Sequence, residues 1–157
     1  MKFLRDPLKW IGCYQIGSAF LATEVLQRQF ATFLHAGPIG WLFLFVVTSF
    51  FTLNGIAGVL LLRGAPAGST LTVIAQVLQV PSVDMPGLLY YAISGASFAL
   101  NWQQDWFGFT TGIGSQFSLF VRHVPEGGSR FAVNFVPLAL LYFSVVQGHA
   151  LRPCRAA

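Results

Sequence analysis

Charge is the scarcest property of this chain. Of its 157 residues nine are Lys or Arg and five are Asp or Glu, 9% in all, while 55% are hydrophobic. Soluble domains carry about 25% charged residues, so there are too few here to coat a soluble surface. Cysteine is almost absent: Cys13 and Cys154 lie near opposite ends, with no further metal-ligand spacing, which argues against a disulfide framework or a zinc site. His35, His123 and His149 stand apart, without the His-x-x-x-His spacing that places two imidazoles on one helix face. Ser115 and Ser118 sit in no nucleophile motif, and Gly112-x-Gly114 is too strand-like for a phosphate loop. No pair of groups suggests a reaction, so the sequence points away from an enzyme and implies no cofactor and no metal. No basic stripe is interleaved with exposed polar residues, so nucleic acid is not an expected partner. The net charge of +4 instead reports topology and contact with lipid headgroups.

Two further patterns are missing. No internal repeat is evident. Lys2, Arg5 and Lys9 precede the apolar stretch Trp10–Ala22 as in a signal peptide, but Phe20 spoils the small-x-small cleavage pattern, so the sequence predicts that this segment is retained.

What is present is apolar length. Trp41–Leu62 contains no charged residue, and a helix over it is about 33 Å long, close to the roughly 30 Å of a bilayer core. Around this helix the sequence predicts a single domain, 1–157, of mainly α integral membrane class. About four transmembrane helices are expected, near 10–34, 39–63, 70–95 and 131–149, with a small antiparallel β meander over about 96–123 between the third and fourth.

The first of these spans is interrupted by Gln15, Ser18, Glu24, Gln27, Arg28 and Gln29. A charge at mid-membrane costs about 3 kcal/mol on insertion scales, and Glu24 and Arg28, at i and i+4 with the acid first, are expected to pair. An amphipathic helix on the membrane surface is the competing reading. His35–Pro38 is a tight turn. In the second span Thr48, Thr52, Gly55 and Gly58 form a small-residue face for close helix approach, with Asn54 hydrogen-bonding on its flank. Arg63-Gly64-Ala65-Pro66 ends it, and Ser69 or Thr70 is the expected cap of the third. Pro81–Pro86 breaks that third span, because proline removes a helical donor and restricts its predecessor. Asp84 is placed to cap the second half.

From Ala96 the period changes to two. Phe98, Leu100 and Trp102 alternate with small and polar residues, and Phe107, Phe109 and Ile113, then Phe117, Leu119 and Val121, do likewise. Turns at Gln103–Asp105 and Gly112–Gly114 give three strands. Four crossings would put Lys2, Arg5, Lys9, Arg63, Arg152 and Arg155 on one side, so the positive-inside rule predicts cytoplasmic termini in a bacterial inner membrane.

Two functional expectations follow. In the first, the protein is a non-catalytic interaction or assembly subunit, with membrane lipids and either a protein partner or a second copy as its contacts. It would bind through Phe98, Trp102, Phe109, Phe117 and Leu119 of an extracytoplasmic β segment. In the second, it is a small transporter or channel subunit with a polar path through Glu24, Asn54 and Asp84, and Arg28 beside the first of these.

Overall fold

The computed structural model describes residues 6–35, 37–103, 106–121, 124 and 128–150. Two long helices come first, α1 (Pro7–His35) and α2 (Gly37–Leu62), then a short α3 (Pro66–Gln79). Four strands follow, β1 (Pro81–Met85), β2 (Leu88–Gln103), β3 (Trp106–Val121) and β4 (Arg130–Asn134), before the final helix α4 (Phe135–Ala150). The helices form one layer and the sheet another: α1 packs along α2, α3 lies against α2 and α4, and the sheet is met by α1 and α4.

Glycine sets the α1–α2 approach. A Cβ added at Gly58 would lie 2.7 Å from the Gly12 carbonyl oxygen, and one at Gly12 would lie 2.9 Å from that of Gly58. Only two hydrogens in these places let the backbones touch. The apolar core beside this crossing is small. Ala22, Val47, Phe50, Phe51 and Ala92 form one cluster, with Phe43, Tyr90 and Phe117 packed against it, and Leu8, Ile11 and Leu61 form another.

The pairing of the strands forces a curl. β2 pairs with β3 along its whole length, from Leu88↔Val121 to Gln103↔Trp106. Its other edge carries β1 at one end (Val83↔Tyr90) and β4 at the other (Leu100↔Val133), both antiparallel. Yet β1 and β4 are also antiparallel to each other, with Asp84 opposite Arg130. Three strands cannot all be mutually antiparallel if each is straight. β2 must therefore reverse its direction between Tyr90 and Ala99, carrying β3 with it, so that β1, β4 and the two halves of β2 close a ring.

The bend centres on Gly95, which faces Gly114 across the ladder. Gly95 has φ +95°, and a Cβ there would meet the Tyr14 hydroxyl at 2.5 Å. That hydroxyl of α1 sits against the backbone of the bend. It donates toward the carbonyls of Ser94 (3.0 Å) and Ala96 (3.3 Å) and accepts from the Ala96 amide at 2.8 Å. One phenol thus partners backbone groups on the stretch of β2's edge that neither β1 nor β4 reaches.

This architecture corrects the four-span expectation. Among the described residues only Gly37–Leu62 is long and apolar enough to cross a membrane. α1 has the length but too many polar groups. α3, at 14 residues, reaches about 21 Å, and the apolar helix Phe135–Val146 about 18 Å, both short of a roughly 30 Å core. Pro81–Pro86 is no break within a span. Pro81–Met85 is a strand, and Pro86-Gly87 is the two-residue turn of a hairpin that pairs Met85 with Leu88. The stretch from Leu88 that was expected to resume a helix is β2, where Tyr90, Tyr91 and Ile93 suit a pleated surface. The sheet therefore runs from Pro81 to Asn134 with four strands instead of three over 96–123. The turn expected at Gly112–Gly114 is absent because β3 runs through it. α3 starts at Pro66, its N-cap is Ala65, and Ser69 donates instead to the Ser144 carbonyl of α4.

Candidate functional site

Beside its two small apolar clusters the interior holds many polar side chains, and much of the exterior is apolar. The largest fully buried side chains include Gln15, Gln76, Asn54 and Thr72, whereas Ile39, Leu42 and Phe45 of α2 are 79%, 64% and 71% exposed. α3 shows the inversion within one element. It buries Thr72, Gln76 and Gln79 while Ile74, Val77 and Leu78 face outward.

The buried polar groups form a column along α3. Thr72 donates to Gln15 Oε1 of α1 at 3.1 Å. Gln79 donates to Asn54 Oδ1 at 3.1 Å, and its Oε1 accepts from the Ser94 amide at 3.0 Å, so this amide ties α2 to the sheet. Ser94 Oγ is bonded to Ser18 Oγ at 3.0 Å, and Ser115 Oγ donates to the Ser18 carbonyl at 3.0 Å. Asn54 also donates to the Phe50 carbonyl. Five buried atoms of the described residues have no hydrogen-bond partner: Gln15 Nε2, both ends of the Gln76 amide, Asn134 Nδ2 and Ser144 Oγ. A buried amide left unpartnered costs about 1–3 kcal/mol per group, so Gln76 is costly where it stands.

The curled sheet has two unlike faces. Its concave face encloses a cavity of about 340 Å³ lined by Ser82 and Asp84 of β1, Tyr91 and Asn101 of β2, Gln116 of β3 and Arg130 of β4, among others. Asn101 donates to Thr110 Oγ1 at 2.9 Å, and Arg130 donates to Gln103 Oε1 at 3.0 Å. Burial raises the Tyr91 phenol above its usual pKa, so it stays neutral here. The convex face is aromatic. Under the helices it carries Tyr90, Ala92 and Phe117. Beyond the Gly95 bend the same face is uncovered, and Phe98, Trp102, Phe107, Phe109, Phe131 and Val133 are all at least 41% exposed. Phe98 stacks on Phe109 (5.5 Å between centroids, 5° between planes) and Trp102 on Phe107 (5.9 Å, 3°). Offset stacks of this kind hold large side chains in fixed positions.

The residues singled out from the sequence fall in different places. Phe98, Trp102 and Phe109 are brought together on the uncovered convex face. Phe117 lies under the helices against Phe43, Phe50 and Tyr90, and Leu119 is 37% exposed farther along the same strand. Glu24 and Arg28 form an ion pair on α1, but it is at the surface (59% and 76% exposed), where such pairs add little. Asn54 is in the buried column. Asp84 is at the cavity, on a strand instead of a helix terminus. Glu24, Asn54 and Asp84 thus lie at the surface, in the buried column and at the cavity respectively. Missed at the level of sequence were Gln15, Thr72, Gln76 and Gln79 as a set. Their i, i+4, i+7 spacing within α3 was legible, but polar residues at that spacing ordinarily mark the solvated side. His35 and the cysteine at 13 join no cluster, and among the described residues no three His, Cys, Asp or Glu gather as metal ligands. His123 and Cys154 lie outside the described residues.

No protein-family model, no curated protein and no solved structure matches this chain.

Proposed function

We propose that this protein is a non-catalytic assembly subunit held in a membrane, and that the uncovered aromatic end of its convex sheet face is its recognition surface. The observation that carries the reading is the inversion of burial. Amides and hydroxyls are inside, and large apolar side chains cover the exterior of α2, α3, α4 and the sheet. In water an apolar exterior of this extent is unstable. Against lipid it is the low-energy arrangement, because hydrocarbon cannot hydrogen-bond buried polar groups but solvates apolar ones. Among the described residues α2 is the one helix fit to cross. The exposed Glu24, Gln27 and Arg28 of α1 belong at the aqueous or headgroup level. The aromatic face differs from the helix exteriors in being rigidly stacked and rich in Trp and Phe, the composition of binding hot spots.

The test is purification from native membranes in mild detergent with mass spectrometry of whatever co-purifies. A stoichiometric partner is expected, reduced at least tenfold by Trp102→Ala combined with Phe109→Ala, with the membrane-bound amount unchanged. Equal recovery from wild type and double variant would refute the proposal.

A second reading, a conduit for small polar solutes, is favoured by one observation: the unpartnered amides and hydroxyl of Gln15, Gln76, Asn134 and Ser144. Gln76→Leu separates the two. If Gln76 serves no solute, replacing its unpartnered amide by an apolar side chain of similar size raises Tm. Loss of solute flux in proteoliposomes, where wild type shows flux, would favour the conduit.

A further inference from the structure

Among the described strands, β1, β4 and the two halves of β2 close on one another, while β3 pairs only with β2 and keeps a free edge. The first half of that edge is the most open part of the sheet. Trp106, Phe107, Phe109, Thr110, Thr111, Gly112 and Ile113 are all exposed, residues of both faces alike, as happens when the strand's outer backbone is uncovered. Native sheets guard such an edge with lysine, proline, an inward charge or a bulge. Residues 106–113, Trp-Phe-Gly-Phe-Thr-Thr-Gly-Ile, contain none of these residue types, and their pairing to β2 is continuous.

We infer that this edge is the contact between two copies of the chain, joined by antiparallel pairing of residues 106–113 with their own counterparts about a two-fold axis. This rests on the membrane reading above. Half of the N–H and C=O groups of an edge strand point outward without a strand partner, and an apolar surrounding removes the water that would satisfy them. The occupant follows from charge. A two-fold contact sets each patch against itself, so a charged strand would repel its copy, and this segment carries no charge. The pairing would extend one four-stranded sheet into another and bring Phe107 and Phe109 of the two copies onto one convex surface. Antiparallel pairing over this stretch adds roughly one backbone hydrogen bond per residue.

The experiment uses the full chain with Cys13→Ser and Cys154→Ser, reconstituted in phosphatidylcholine nanodiscs or mild detergent. Mass is measured by light scattering, and spin-label distances are read at Thr111→Cys and, separately, at Phe45→Cys on the exposed face of α2. The expected result is twice the monomer mass, with a short distance at position 111, whose backbone lies about 11 Å from its counterpart when it pairs opposite Gly108, and a longer one at position 45. Thr111→Lys is expected to raise the dimer Kd at least tenfold. A monomer, a dimer with the 111 labels farther apart than the 45 labels, or a dimer unmoved by Thr111→Lys would overturn the inference. The mass and distances of the labelled chain need no disruptive variant, so misfolding of Thr111→Lys leaves the test intact. A monomer carrying a different protein at Trp102 and Phe109 overturns the homotypic edge but leaves the assembly reading standing. A homodimer with no other protein supports the edge and overturns assembly with a second gene product.

Discussion

At the scale of single residues, Tyr14 and Gly95 hold the site in shape. The curl that gives the sheet its concave and convex faces needs a left-handed residue at position 95 and a partner for the backbone groups around it. Tyr14→Phe keeps the ring and removes the hydroxyl, leaving the Ala96 amide without its acceptor. It is expected to lower stability by about 1–3 kcal/mol, read as a fall in Tm in detergent. Gly95→Ala meets both the unfavourable φ and the Tyr14 hydroxyl, so its loss should be at least as large. If both variants melt with wild type, the phenol is not the pin of the bend. Tyr14 could not be singled out from the sequence, where it is one aromatic residue in an apolar helix. Its partners lie 80 and 82 residues away.

At the scale of elements, α3 is the clearest statement of how the molecule is turned. Its apolar residues Ile74, Val77 and Leu78 share the outward side, and its Thr72, Gln76 and Gln79 the inward one. A helix in water shows the reverse. If α3 faces lipid, Ile74→Lys combined with Val77→Lys exposes two charges to hydrocarbon, each costing up to about 3 kcal/mol. Most of the protein should then be lost from the membrane fraction on immunoblotting. Unchanged membrane levels of this double variant would mean that α3 faces water. Pro81 and Pro86 illustrate how an element can be misread. In a chain this apolar, proline between two apolar runs looks like a broken span, whereas Pro86-Gly87 followed by a run rich in Tyr and Ile is equally the signature of a hairpin. The antiparallel pairing of Met85 with Leu88 decides between them, because it makes the residues on both sides of Pro86-Gly87 strands.

At the scale of the whole molecule, the exterior is the functional statement. Washing membranes with alkaline carbonate is expected to leave the protein in the pellet, with release only by detergent. Recovery in the carbonate supernatant would remove the basis for reading the apolar exterior as lipid-facing. The side on which each terminus lies was argued from four crossings. With one helix fit to cross among the described residues, that count no longer supports a shared side, and protease protection of tagged termini in sealed vesicles would decide it.

The sequence by itself determined that the chain is too poor in charge for an ordinary soluble surface, that Trp41–Leu62 is an uncharged apolar run of bilayer length, and that Phe98 and Trp102, like Phe107 and Phe109, alternate onto one face of a strand. These depend on composition, run length and a period of two, which are local. Only the tertiary structure decided that β2 reverses at Gly95, that β1 and β4 close the ring, and that four glutamine and threonine side chains of α1 and α3 are inside. Those outcomes depend on contacts between distant residues, such as Tyr14 with Ala96 and Gln79 with Ser94. A periodic pattern tells which residues of an element share a side, but which side is buried depends on what packs against it.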